Sequence, residues 1–215
     1  MMEDNILKSD SPLYGRKTSQ VKLKELPIRS LKCFLPDHRP NEIIGYYSIY
    51  GGVPAYLEIL DPKFDLEKNL EETVLNIDAP LKDAVDFILK SELRKPERYR
   101  AILTHLSRGV TTMNGLSQEM DMQGNRISQY LAKLRNLRLV EREEPVTLSS
   151  TKNKRRGRYL IKDKFFRFFF QYVLPNRSDL EEGRKESVLN DFKSTENSYI
   201  DPVFENICQN YVLKT

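Results

Sequence analysis

Apolar residues recur through the middle of the chain at the spacing of helices. Tyr99, Ile102, Leu103 and Leu106 form one stripe, and Ile127, Tyr130, Leu131, Leu134 and Leu137 form another. Each follows the i, i+3, i+4, i+7 spacing of an amphipathic helix that buries one face. Gly109 is placed to stop the first helix, Asn114 to cap a short helix through Met120, and Gly124 to precede the second stripe. Beyond it, LVEREEPVTL (139–148) and RYLI (158–161) read as strands on either side of the polar loop SSTKNKRRG. Helix, helix, helix, strand, loop, strand is the order of a winged helix-turn-helix, predicted over residues 96–162.

Upstream, residues 1–36 read as irregular, punctuated by Pro12, Pro27 and Pro36 around an extended VKLKEL. Residues 37–95 predict a small helical bundle. Asn41 caps EIIGYYSIY, a second helix spans 66–76, and a third starts at Pro80 with Leu81, Val85, Ile88 and Leu89 on its buried side. Lys95-Pro96 marks a break. Downstream, residues 163–215 begin with the aromatic helix KFFRFFFQYV and continue as a short helical extension. The aromatic run does not alternate, so rings fall on several faces. That pattern predicts core next to the winged helix, with some surface left for a partner. The fold class expected is mainly α: a helical bundle plus an α+β winged helix-turn-helix.

A net charge of +4 over 215 residues is too mild to imply a nucleic-acid partner by itself, so the positions of the charges matter more. Opposite the apolar stripe of the third helix lie Arg126, Gln129, Lys133 and Asn136, spaced i, i+3, i+7 and i+10 on one face. These residue types hydrogen-bond base edges in a major groove, and the arginine and lysine also suit phosphates. The loop between the strands carries Lys152, Lys154, Arg155 and Arg156, then Arg158, with no acid from Ser149 to Arg158. Such a wing can lie along a DNA backbone or minor groove and release counterions. The same face and loop equally suit a solvated surface or an interdomain contact, so binding of double-stranded DNA is one of two readings of this surface.

Other chemistry is thin. Cys33 and Cys208 have no paired spacing, and His38 and His105 are the only histidines, which excludes a zinc site or a disulfide scaffold. His105 falls beside an apolar stripe and reads as core; His38, between Asp37 and Arg39, reads as exposed loop. FFRFFFQYVL is too short to span a bilayer and is broken by Arg167, and the first residues lack a signal-peptide pattern. The expectation is a cytoplasmic protein with no membrane partner. None of the nine glycines is followed by lysine, so no phosphate-cradling G-x-x-x-x-G-K-[ST] loop is present.

Two segments nevertheless carry a likeness. SPLYGR (11–16) and YYSIYGGVPAYL (46–57) closely resemble the later part of the archaeal ATPase family, P-loop ATPases related to the AAA+ and STAND classes. The likeness continues in family order through SELRKPERYRAILTHLSRG, the winged-helix segment, GRYLIKDKFFRFFFQYVLPN and DPVFENIC. It implies that residues 1–36 end an ATPase core, 37–95 form its lid, 96–162 its winged helix, and 163–215 the start of a truncated C-terminal domain similar to restriction endonucleases. Arg16 would then lie near a γ-phosphate; otherwise it is an ordinary turn arginine. Gly52 and Pro54, with Gly51 before them, match the lid's G-x-P signature, where proline packs on adenine. Without that context GGVP is a turn between helices. Glu205 would match a glutamate of the nuclease-like domain, with its metal site left incomplete.

The resemblance implies ATP and Mg²⁺ for the full-length family, but this chain lacks the P-loop, the acidic Mg²⁺ strand and the sensor strand. Positioning and charge neutralisation supply nearly all phosphoryl-transfer catalysis, so no ATP hydrolysis is expected from this polypeptide alone. The expectation is a C-terminal portion of such an ATPase, with a P-loop core supplied by a separate chain or with self-association as further partnerships. The alternative is a stand-alone winged-helix transcriptional regulator.

Overall fold

The structure, a computed structural model, describes residues 24–144 and 157–212, without the side chains of Asn210 and Val212. A 3-10 turn (Ile28–Cys33) leads into α1 (Pro40–Tyr50), the short α2 (Pro54–Leu57), α3 (Leu66–Leu70) with a wide turn continuing over Glu71–Leu75, and α4 (Ala84–Glu92). The winged helix follows as α5 (Pro96–Ser107), α6 (Met113–Glu119), α7 (Gly124–Asn136), β1 (Val140–Glu143) and β2 (Arg158–Ile161). The aromatic helix α8 (Lys164–Phe168) runs on as a wide turn over Phe169–Val173, then α9 (Arg177–Glu181) and the 27-residue α10 (Glu186–Val212). The fold is mainly α with one small sheet.

Local chemistry sets these boundaries. Glu42 closes the start of α1 by accepting from the Arg39 backbone N–H at 2.6 Å, so the cap is Arg39 and not Asn41, which falls in the first turn after Pro40. Thr112, not Asn114, caps α6: its hydroxyl accepts from Gly115 N–H at 3.1 Å. The third bundle helix begins at Ala84, later than Pro80, because residues 80–83 form a turn. Four helices end alike, with two backbone bonds folding back over a left-handed residue. Gly109 closes α5 in this way, with Val110 N–H on His105 O at 3.0 Å, and Gly183 closes α9. Asp121 (φ 45°) and Arg138 (φ 62°) perform the same stop after α6 and α7 without a glycine.

The sheet is a two-stranded antiparallel ribbon, with Val140 opposite Ile161 and Glu143 opposite Arg158. The far edge of β2 is held by Tyr159 N–H donating to Thr111 O at 2.7 Å. Ile127, Leu131 and Leu134 of α7 are fully buried against Ile102, Leu103 and Leu106 of α5, as the stripes predict. Strand β1 is described only to Glu143; residues 145–156, with the rest of LVEREEPVTL, lie outside the described residues.

One apolar cluster runs from Leu31 to Tyr199, and the aromatic helix is its centre. Phe165, Phe166, Phe168, Phe169, Phe170 and Tyr172 are all buried. Phe165 faces the bundle, stacking on Tyr50 at 6.4 Å and tilting onto Tyr56 at 4.9 Å. Phe168 meets Phe192 and Tyr199 of α10 at 5.6 and 6.3 Å. The rings thus fall on several faces, as the pattern requires, but α1, α5 and α10 cover them within the chain. The partner surface expected at this run is absent among the described residues.

Asp163 caps α8, accepting from Phe166 N–H at 2.9 Å. Burial pushes its carboxyl up to about 6. An acid whose folded value exceeds its unfolded value of about 3.9 favours the fold most when protonated. Stability from this group is therefore full below about pH 4 and declines as pH rises toward 6. Asp163→Asn keeps an accepting oxygen and removes that decline. At neutral pH it is expected to melt as a protein up to about 3 kcal/mol more stable than wild type, the gain vanishing near pH 4; Asp163→Ala escapes the same decline but loses the cap, and is expected to lie about 1 kcal/mol below Asp163→Asn at every pH. Denaturant melts across this pH range check both.

Candidate nucleic-acid interface

The winged helix presents α7 on its outside. The Gln123 side chain does not cap its N-terminus: the Arg126 N–H is taken by Gln123 O at 3.0 Å and Asn125 Oδ1 at 2.7 Å, and among the described residues the Gly124 and Asn125 N–H groups are left for an outside acceptor. Arg126, Gln129 and Asn136 are exposed and Lys133 is half-buried, all on the face away from Ile127, Leu131 and Leu134. Among the described residues, none of these four side chains is held in a hydrogen bond or an ion pair. A face with two cations and two amides, left free of internal partners, has its donors available for an outside ligand.

Electrostatics single out this module more sharply than the whole chain does. Residues 96–162 contain 14 Lys/Arg and 6 Asp/Glu, a balance of +8 within a total of +4, so the rest carries −4. Arg158 is exposed at the start of β2, at the base of the wing. Lys152, Lys154, Arg155 and Arg156 lie outside the described residues, as does Arg16 with SPLYGR. The base of the wing depends on an arginine that the sequence pattern did not flag. Arg142 packs its guanidinium 5.8 Å from the Tyr159 ring centre and crosses Gly157, where an added Cβ would fall 2.3 Å from Arg142 Nε. Glycine before Arg158 thus lets one strand's arginine cross the other.

The GGVP turn lies between α1 and α2. Gly51 takes φ 65°, and Gly52 lies against the incoming chain: Leu26 N–H donates to Gly52 O at 2.8 Å. A Cβ on Gly52 would sit 1.9 Å from Leu26 O. Pro54 starts α2 with its ring exposed. Beside the turn, Lys164 lies 4.5 Å over the Tyr47 ring and pairs with Glu25 at 3.5 Å. These residues edge a cleft of about 1040 Å³, whose other walls include Arg29, Lys162, Arg167 and Ile207. Close backbone approach is one reason for glycine here that needs no ligand.

The remaining candidates are settled by their surroundings. His38 is half-buried rather than looped out: its Nε2 lies 3.0 Å from Phe64 O and 3.3 Å from Tyr46 OH. His105 is half-buried on α5. Glu205 is exposed and accepts from Gln209 at 3.2 Å. Cys33 and Cys208 are exposed thiols. Among the described residues no cluster of three metal-binding side chains occurs, and no helix is long and apolar enough to cross a membrane.

Comparison with known proteins agrees with this placement. Residues 97–142, from α5 into β1, match the family described as bacterial regulatory protein, arsR family, a helix-turn-helix family. Residues 169–215 match a family described as archaea bacterial proteins of unknown function. The whole chain is 34% identical over 214 residues to an uncharacterized protein of Methanocaldococcus jannaschii. The chain spans 47% of that relative's length. No solved structure matches.

Gly52→Ala is expected to cost about 3 kcal/mol, at the upper end of overpacking, because residues 24–27 must move. Gly51→Ala meets only ordinary contacts and bears the strain of its positive φ, about 1–3 kcal/mol. Thermal melts that leave Gly52→Ala at the wild-type midpoint would show that the turn is not packed on Leu26.

Proposed function

We propose that this chain is the DNA-reading and lid portion of an ATPase of the archaeal type, with the winged helix as its duplex-DNA-binding module. The observation that carries the reading is the free α7 face, Arg126, Gln129, Lys133 and Asn136, on the +8 winged helix. In this reading α7 enters the major groove, Arg126 and Gln129 meet base edges near its N-terminus, and the open N–H groups meet a phosphate. Lys152, Lys154, Arg155 and Arg156 follow the backbone beside it, and Arg158 anchors the wing. The similarity to an arsR-type helix-turn-helix supports this assignment.

The lid part of the proposal rests on the GGVP turn and the cleft beside it. Pro54 offers an exposed, rigid ring next to a glycine pair, and such a surface suits packing on an adenine. Hydrolysis would need the P-loop and the acidic Mg²⁺ strand from sequence this chain does not contain, whether in cis or on a partner chain. The relative from Methanocaldococcus jannaschii, about twice as long, has room for such a unit.

Fluorescence anisotropy with a random duplex across a salt series tests DNA binding. Wild type is expected to bind, with affinity falling as salt rises. Replacing Lys152, Lys154, Arg155 and Arg156 by Ala is expected to flatten the log–log slope by about 3–4 units, close to 0.9 per phosphate contact. Arg126→Ala is expected to weaken a preferred site by about 1–3 kcal/mol. If neither wild type nor variants bind at low salt, the face is a protein-contact surface and the DNA reading fails. In the same preparations, magnesium-dependent phosphate release from ATP is expected to equal the buffer blank; release above it would overturn the assignment of hydrolysis to missing sequence.

A further inference from the structure

Asp86 of α4 is 8% exposed, and its carboxylate is shared by two other elements. One oxygen takes Arg100 of α5; the other takes Arg177 Nη1 of α9 at 3.1 Å. Arg177 reaches on through Nε to Glu181 at 3.2 Å. Bundle, winged helix and C-terminal extension therefore meet at one carboxylate. Taking it away leaves two guanidiniums facing each other, and a carboxylate so far from water is held there by its charge partners. The clasp is not sealed, however: the Arg100 and Arg177 side chains are 29% and 47% exposed, so water and ions reach them.

The other end of α5 is held differently. Leu103 and Leu106 are buried in the common core, and Ser107 Oγ donates to Phe170 O at 3.3 Å. Seven residues, roughly 10 Å of helix, separate this apolar mounting from the ionic one at Arg100. Only residues 93–95 join α4 to α5, and of these Arg94 and Lys95 are exposed.

We propose that Asp86 is a releasable latch on the winged helix. Closed, it fixes α5 against α4 and α9; open, it lets the winged helix pivot about the Ser107–Phe170 mounting. The exposed arginines make the closed state sensitive to salt and to competing anions. The inference concerns the position of the module and holds whether or not that module binds DNA.

The test is a distance measurement by double electron–electron resonance on the full chain. Cys33 and Cys208 are replaced by Ser, and spin labels are placed at Ser128→Cys on α7 and Glu58→Cys after α2, both exposed. At low salt the parent is expected to show one narrow distance. Asp86→Asn and Arg177→Gln are each expected to add a second, broader population while keeping far-UV circular dichroism and a cooperative melt. Molar salt is expected to move the parent the same way. Folded variants with the parent's distribution overturn the latch. If Asp86→Asn fails to fold, Arg177→Gln and the salt series decide, and an unchanged distribution in both overturns it. DNA anisotropy on the same proteins separates this outcome from failure of the DNA reading, because a protein that never binds DNA still reports its distances.

Discussion

A helix whose aromatic rings point in every direction has to be covered in every direction, and the segment from Phe165 to Tyr172 imposes that requirement on the fold. Six of its rings are buried, and no single neighbour could enclose them. Helix α1 takes Phe165 through Tyr50, α10 takes Phe168 through Phe192 and Tyr199, and α5 closes over Phe170. This explains why α10 is so long and why its buried residues, Val188, Leu189, Phe192 and Tyr199, end near Val203. Bundle, winged helix and extension share one core because all three cover the same helix.

The order of elements was legible because it rests on apolar periodicity, which tertiary context seldom overrides. The aliphatic residues of the α5 and α7 stripes up to Leu134 reappear in the buried sets of those helices, while Tyr99, Tyr130 and Leu137 are half-buried at the edge. Boundaries were less legible, and the misses have local causes. Gly109 announces a helix stop because glycine adopts the left-handed conformation without strain. Asp121 and Arg138 make the same stop at some cost, and nothing in their identity distinguishes them from ordinary surface residues. At the helix starts, an Asn in a plausible place lost to Glu42 accepting from the Arg39 N–H and to Thr112. Side-chain caps are decided by fractions of an ångström, which a residue alphabet does not carry.

The candidate site was legible to a similar depth. The polar face of α7 could be drawn from spacing alone, since helix geometry fixes which side chains share a face. The role of Arg142 could not, because it depends on Tyr159, seventeen residues away across the ribbon, and on the missing side chain of Gly157. Gly52 shows the opposite case. Its match to a nucleotide-lid signature was visible in sequence, while its contact with Leu26 was not, and that contact constrains the residue to glycine whatever the turn binds. His38 looked exposed because its flanks are polar; its bond to Phe64 O depends on a loop 26 residues further on.

Two forces of different reach hold the winged helix in place, and their sizes decide what can move it. An aromatic side chain buries about 150–250 Å², worth about 4–6 kcal/mol at 25 cal/mol per Å², and several such rings lie under α5. A half-exposed ion pair is closer to about 1 kcal/mol, rising only as water is excluded. The apolar mounting at Phe170 therefore outlasts the Asp86 clasp under any mild change of salt or charge. In the latch proposal the Asp86 clasp therefore acts on the orientation of α5 and leaves the core folded. The partition of charge along the sequence gives that distinction a direction: residues 96–162 carry +8 and the rest of the chain −4, so under the latch proposal the opposite charge of the rest of the chain favours the closed module. A DNA duplex brings about one negative charge per 1.7 Å of its length and, under the DNA-reading proposal, would compete with the rest of the chain for the same cations. Binding and release of the module would then be coupled through electrostatics alone, while the aromatic core stays closed.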